Sequence, residues 1–261
     1  NESLGHQYKL SELIWDLKDV QLAGVAGTLS FAERFHLNAG YWGAVTKGSG
    51  QMEDYDWLSG VDGDPWTDWS LSDVDVEKAY MIDVNASVDI VKFKPVTFRG
   101  LVGYKQDHWA WKDYGIRHIY SMYDWYDDVG EDDYTTGIEY EQTFKIPYAG
   151  VNLEGAYKGF SLNAYFSYSP FVKADDQDYH VFRDILFEEE FSNGDYYGVG
   201  GRAAYTFKCG VFLALSIDYQ DIPEIIGDTT IYADGEEASS VDSAGIKHNA
   251  TMYSVSAGYS F

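Results

Sequence analysis

The stretch QMEDYDW, Gln51 to Trp57, holds Asp54 and Asp56 two residues apart, and ADDQDYH, Ala174 to His180, holds Asp176, Asp178 and His180 at the same spacing. On an extended backbone, residues at i and i+2 share a face, so each set presents its groups to one side. A carboxylate beside an imidazole is the usual support for a general base: Asp178 can orient His180 and stabilise its protonated form. Taken alone, either set is also what a solvated acidic loop provides, since Asp62, Asp64 and Asp68 follow the first closely. Two one-sided sets, on long loops leaving the same end of one scaffold, are harder to ascribe to chance.

The scaffold that would position them reads as all-β. In the carboxyl-terminal stretch Tyr253, Val255, Ala257, Tyr259 and Phe261 alternate with Met252, Ser254, Ser256, Gly258 and Ser260, a period of two with an apolar and a small-polar face. The chain ends on an aromatic residue, as the last strand of a bacterial outer-membrane barrel does. The same alternation runs through Tyr80 to Ile90, Phe160 to Tyr168 and Val211 to Tyr219. Asp83, Asp89 and Asp218 fall on the polar face, which suits a hydrated barrel interior better than a dry sandwich core. Short turns are expected near Ala32 to Arg34, Lys92 to Val96, Tyr157 to Gly159 and Lys208 to Gly210. Long polar loops are expected over Gly50 to Pro65, Lys112 to Asp133, Ala174 to Glu190 and Pro223 to Ala244. Short and long connections alternate, as periplasmic turns and external loops do.

This predicts a single domain over residues 1–261, an antiparallel transmembrane β-barrel with about nine strands visible. Because single-chain bacterial barrels have even strand numbers, the intact barrel is expected to have about ten, with a first strand before Asn1 and Asn1 itself at an external loop.

Composition narrows the function classes. Mean hydropathy is -0.33 and no apolar run of about 18 residues occurs, which argues against a helical membrane protein and leaves a barrel open. With 43 acidic against 18 basic residues the net charge is -25. Nucleic acid is therefore an unsuitable partner, and cationic ligands are favoured by long-range steering. Cys209, the single cysteine, can form no internal disulfide and reads as a small turn residue. His6, His36, His108, His118 and His248 lack ligand spacing, so no metal is expected. Trp42, Trp109, Trp111 and Tyr120 read as interfacial or loop-packing aromatics. No G-x-S-x-G elbow, H-E-x-x-H or phosphate-binding glycine loop is present.

The segments SGQMEDYDWL, PWTDWS, YEQTFKIPY, FSYSPFVKADDQDYH and SAGIKHNATMYSVSAGYSF together resemble the omptins, outer-membrane endoproteases of Gram-negative bacteria. The resemblance extends from Lys9 to Phe261, and its most specific parts are M-x-D-x-D-W and D-x-D-x-H. It implies that Asp54 and Asp56 are the family's acidic pair and that Asp178 and His180 are its catalytic aspartate and histidine. In such a reading His180 takes a proton from a water that attacks the scissile carbonyl. The acidic pair, of which proximity keeps one member protonated, donates to the developing oxyanion. The resemblance also implies cleavage next to basic residues, with Asp176 recognising a substrate Arg or Lys. The companion glutamate belongs to the first strand, for which Glu2 is a candidate here. Expected substrates are basic peptides or host proteins, and the expected setting is a monomer in outer-membrane lipid with the site facing outside.

Two departures from the family pattern bear on this. The basic cluster that binds lipopolysaccharide phosphates is replaced by His108, by Thr143 and by the acidic run FEEEF, although Tyr104 is kept. Lipopolysaccharide dependence is therefore doubtful, and no other cofactor is expected. Ser72 stands where a histidine is usual after W-T-D. The competing reading is a non-enzymatic barrel, an adhesin or receptor for cationic ligands. A diffusion porin is a third, disfavoured because a lumen this narrow would be filled by side chains.

Overall fold

A computed structural model describes residues 9–59, 64–133 and 136–261. Glu2, Asp62 and any strand before Asn1 lie outside the described residues. The strands are β1 (Ser11–Lys18), β2 (Leu22–Phe31), β3 (Phe35–Ala44), β4 (Gly48–Asp56), β5 (Asp68–Phe93) and β6 (Val96–Tyr120). They continue with β7 (Asp128–Asp132), β8 (Ile138–Tyr157), β9 (Phe160–His180), β10 (Ile185–Thr206), β11 (Val211–Ala233) and β12 (Glu236–Tyr259). All pairings are antiparallel, along the path β1-β4-β5-β6-β8-β9-β10-β11-β12, with β2 and β3 extending its first two strands and β7 added to β6. That path has nine members, matching the strand count read from the alternation.

Contacts between strands far apart in this order show that the sheet curls back on itself. Trp15 of β1 packs on Trp111 of β6 and Tyr140 of β8, with ring centroids 5.4 and 5.6 Å apart. Gln220 of β11 donates to Asp107 of β6 at 3.0 Å, and His248 of β12 lies against Phe144 of β8. Such contacts across the sheet are those of a barrel, whose inner face is filled by alternate side chains.

The alternation sorts as the sequence implies. Val255 and Tyr253 are 80% and 79% exposed, and Leu162, Phe166, Leu213 and Leu215 are also on the outer face, forming the apolar band that lipid requires. The inner carboxylates are satisfied by side chains. Tyr148 donates to Asp83 at 2.8 Å, Tyr165 donates to Asp218 at 2.8 Å, and Asp89 meets Arg99, Lys92 and His36. The short turns fall where expected. At Lys158-Gly159, and at Asp234-Gly235 inside the segment expected as a long loop, both residues have positive φ, the two-residue hairpin geometry that follows the twist of the flanking strands. Cys209 lies exposed in the turn before β11.

The long polar segments differ from their reading as loops. Gly50 to Asp56 belongs to β4, Lys112 to Tyr120 to β6, Ala174 to His180 to β9, and Pro223 to Ala233 to β11. Their polarity reflects water on the outer side of strands that run beyond the lipid, where a sheet needs no apolar outer face. Trp109 and Trp111 also depart from their reading as interfacial or loop-packing aromatics: at 8% and 3% exposure they belong to strand β6 and line the inside of the barrel.

Two apolar clusters close the interior where the strands leave the membrane. One contains Phe144, Ile146, Val172, Ala174, Phe191, Ile222 and Ile246. The other contains Met52, Val74, Val76, Trp109, Trp111 and Ile138, with Leu13 and Trp15 against it. They form the floor of a cup whose rim is made by the protruding strands.

Candidate active site

Alternation puts the two chemical sets into this cup. Asp54 and Asp56 share the β4 face of the buried Met52, whereas Asp176, Asp178 and His180 share the β9 face of the buried Val172 and Ala174. β5, β6 and β8 separate β4 from β9 in the sheet, so the two sets stand on opposite walls.

On the β4 wall, Ser11 Oγ donates to Asp54 Oδ1 at 3.2 Å. Burial, and then the neighbouring Asp56, push the Asp54 carboxyl up to about 7. Asp56 is raised as well, by burial first, with Asp68 adding and Arg183 and His180 opposing. Two carboxylates two residues apart over an apolar floor cannot both be charged without strain, so the pair holds a proton near neutral pH. His180 acts electrostatically on both members, which places the walls within reach of each other. Tyr120, read from sequence as a packing aromatic, borders this pair; burial and Asp54 push its hydroxyl up to about 12. Ser72 is buried at the cross-strand position of Met52.

On the β9 wall, His180 Nε2 lies 3.3 Å from Asp178 Oδ2. The other ring nitrogen, Nδ1, is met by the Arg183 guanidinium. A guanidinium has only donors, so Nδ1 carries the bare lone pair and Nε2 the hydrogen directed at Asp178. The imidazole is therefore in the tautomer a general base needs, with Arg183 resting on the lone pair that would take the proton. Arg183 comes from the tight turn between β9 and β10, with its backbone N–H on His180 O at 3.2 Å. No spacing rule points to it.

Asp176 lies one alternation step deeper and is 5% exposed. Tyr140 Oη donates to its Oδ2 at 2.6 Å, while its Oδ1 has no hydrogen-bond partner. Its cross-strand neighbours are Gln142 on β8 and Glu189 on β10. Burial first, and then Glu189, push the Asp176 carboxyl well above its usual range, and Glu189 is likewise raised by burial. The structure thus brings all five sequence-chosen residues to one cup and adds Arg183, Tyr120, Tyr140 and Glu189.

On the outer wall, His108 Nδ1 and Thr143 Oγ1 lie 3.0 Å apart on paired strands. Of the nearby lysines, Lys145 is held by Asp175 and Lys112 by Glu139, whereas Lys78 lies over the Tyr80 ring beside His108 and Lys173 stands across from Lys145.

Comparison with known proteins gives a consistent result. The family model described as "Omptin family" matches residues 2–261. The chain is 29% identical to the plasminogen activator of Yersinia pestis, over 97% of this chain and 81% of that protein. It is 26% identical to the outer membrane protease OmpP of Escherichia coli strain K12, over 92% of this chain and 78% of the relative. The crystal structure of the outer membrane protease OmpT from Escherichia coli superposes with a TM-score of 0.91 at 24% identity, covering 97% of this chain and 88% of that one.

Proposed function

The chain belongs to the omptin family, and from that premise we propose that it is an endopeptidase cleaving next to basic residues, through a water activated by Asp178 and His180 opposite Asp54 and Asp56. It is an outer-membrane β-barrel protease of a Gram-negative bacterium. The observation that carries the finer reading is the pair of facing walls: a base held in the right tautomer on β9, and on β4 two carboxyls within its electrostatic reach that retain a proton.

In the proposed reaction His180, aligned by Asp178, accepts a proton from a water between the walls, once Arg183 has left Nδ1. The resulting hydroxide attacks the scissile carbonyl carbon. The protonated member of the Asp54 and Asp56 pair donates a hydrogen bond to the oxyanion, whose charge is worth most in a water-poor site. His180 then delivers its proton to the leaving amine. Asp176 holds a substrate Arg or Lys deeper on the same wall. Basic peptides or host proteins are the substrate class, and the Yersinia pestis relative is by name a plasminogen activator. The protein acts as a monomer surrounded by outer-membrane lipid, with the cup facing outside.

Lipopolysaccharide is not required in this reading. Phosphate recognition is strongest where arginines cluster, and the outer wall offers His108, Thr143, the carboxylate-held Lys112 and Lys145, Glu188 and Glu190, which leaves Lys78 and Lys173 as its cations.

The test is hydrolysis of a fluorogenic peptide with a central Arg-Arg pair by wild type and His180→Ala, in detergent with and without lipopolysaccharide. Cleavage by wild type alone, changing less than about threefold on adding lipid, is expected. Removing a catalytic base lowers the rate by about a hundredfold or more. A folded wild type inert under both conditions refutes the protease roles and favours a receptor for cationic ligands, and strong activation by lipid refutes independence from it.

A further inference from the structure

We infer that Glu189 is a specificity-determining residue, which with Asp176 forms a two-carboxylate subsite for a guanidinium-bearing substrate side chain. This deepens the protease reading and rests on it.

Glu189 on β10 and Asp176 on β9 are direct cross-strand partners, and directly opposed side chains lie about 5 Å apart at Cβ on the same face. Like charges in that relation destabilise a sheet, and burial enlarges the penalty. The protein supplies only neutral relief: Tyr140 Oη to Asp176 at 2.6 Å, Thr229 Oγ1 to Glu189 at 3.0 Å, and a hydrogen bond between the two acids themselves, in which the protonated Asp176 donates to Glu189. Among the described residues no ion pair reaches either carboxylate. The nearest lysine on a flanking strand, Lys145, is bonded to Asp175 on the opposite face. Asp176 Oδ1 is buried and receives no donor from any residue other than its acidic neighbour, so an incoming cation displaces the proton that the two acids share.

The surroundings define which cation fits. One step below, Ala174 and Phe191 are paired on the same two strands and belong to the apolar floor, a bed for an aliphatic stem. Above it stand two carboxylates from adjacent strands. A guanidinium carries five donors in a plane and can serve both carboxylates, whereas an ammonium is a point charge. The subsite therefore selects Arg over Lys, and either over a neutral side chain.

The test uses peptides identical except for Arg, Lys or citrulline at the cleaved position, since citrulline keeps the shape of arginine without its charge. Wild type, Glu189→Gln and Glu189→Asp are compared in kcat and KM, with folding checked by heat-modifiable mobility. Glu189→Gln is expected to lower kcat/KM for the Arg peptide by about tenfold or more, chiefly through KM, and to change the citrulline peptide by less than about twofold. Glu189→Asp should recover part of the loss. Binding of the labelled Arg and citrulline peptides is measured in parallel on His180→Ala, with and without Glu189→Gln, so the subsite is read without turnover. An Arg-to-citrulline ratio unchanged by Glu189→Gln in both assays, or an equal loss on both peptides, overturns the inference. Failure of wild type to cleave overturns the protease reading while the binding arm still decides the role of Glu189.

Discussion

At the scale of single residues, protons explain how the groups divide the chemistry. The folded value of Asp54, about 7, exceeds the roughly 3.9 of an unfolded aspartate. The folded state therefore binds the proton more tightly, and the stability linked to Asp54 is full below about pH 4 and lost as pH rises through about 7. Asp54→Asn is accordingly expected to abolish cleavage and yet to raise the unfolding midpoint relative to wild type, by more at pH 8 than at pH 4; a pH-independent difference in heat-modifiable mobility would contradict this. Arg183 holds the lone pair of His180, so Arg183→Ala should leave the fold intact and raise kcat on short peptides by about twofold to tenfold, with peptide hydrolysis as the readout. The sequence exposes Asp54, Asp56, Asp178 and His180 because alternation alone aligns them. Glu189 is hidden in the run Glu188 to Glu190, where only the register with β9 shows which of three carboxylates turns inward. Arg183 is hidden because a turn, not a period, aims it.

At the scale of elements, the membrane-spanning parts of the strands are legible and their extensions are not. Lipid imposes an apolar residue at every second position, so Phe160 to Tyr168 or Val211 to Tyr219 can be read directly. Above the lipid both faces of a strand tolerate polar groups, and Ala174 to His180 becomes indistinguishable from a loop until its hydrogen-bonded partners are known. These extensions stand because the inner face keeps its apolar floor. Phe144, fully buried between its cross-strand partners Asp107 and Ala174, is central to it. Phe144→Ala should destabilise the barrel by about 3 to 5 kcal/mol, measured as a lower denaturant midpoint. A change below about 1 kcal/mol would mean that the floor carries little of the stability.

At the scale of the whole molecule, the net charge is -25, and part of the acidic excess lines the cup. Such a field speeds encounter with cationic chains and is screened by salt. The apparent kcat/KM for a basic peptide should fall by about tenfold between low ionic strength and roughly 0.5 M salt, while that for a citrulline analogue stays flat. Parallel slopes for the two peptides would assign the dependence to the barrel rather than to steering.

The floor formed by the two apolar clusters has a further effect on traffic. Buried side chains of both clusters fill the inner face below the acidic groups, so in the proposed reaction the substrate is presented from above as a bend. Both fragments leave by the opening through which the parent arrived. In the proposed reaction, a fragment that keeps its arginine departs against the same attraction that drew it in. On that reading, release of the fragment rather than bond cleavage is expected to set the pace for tightly held sequences, with accumulating basic product slowing its own formation.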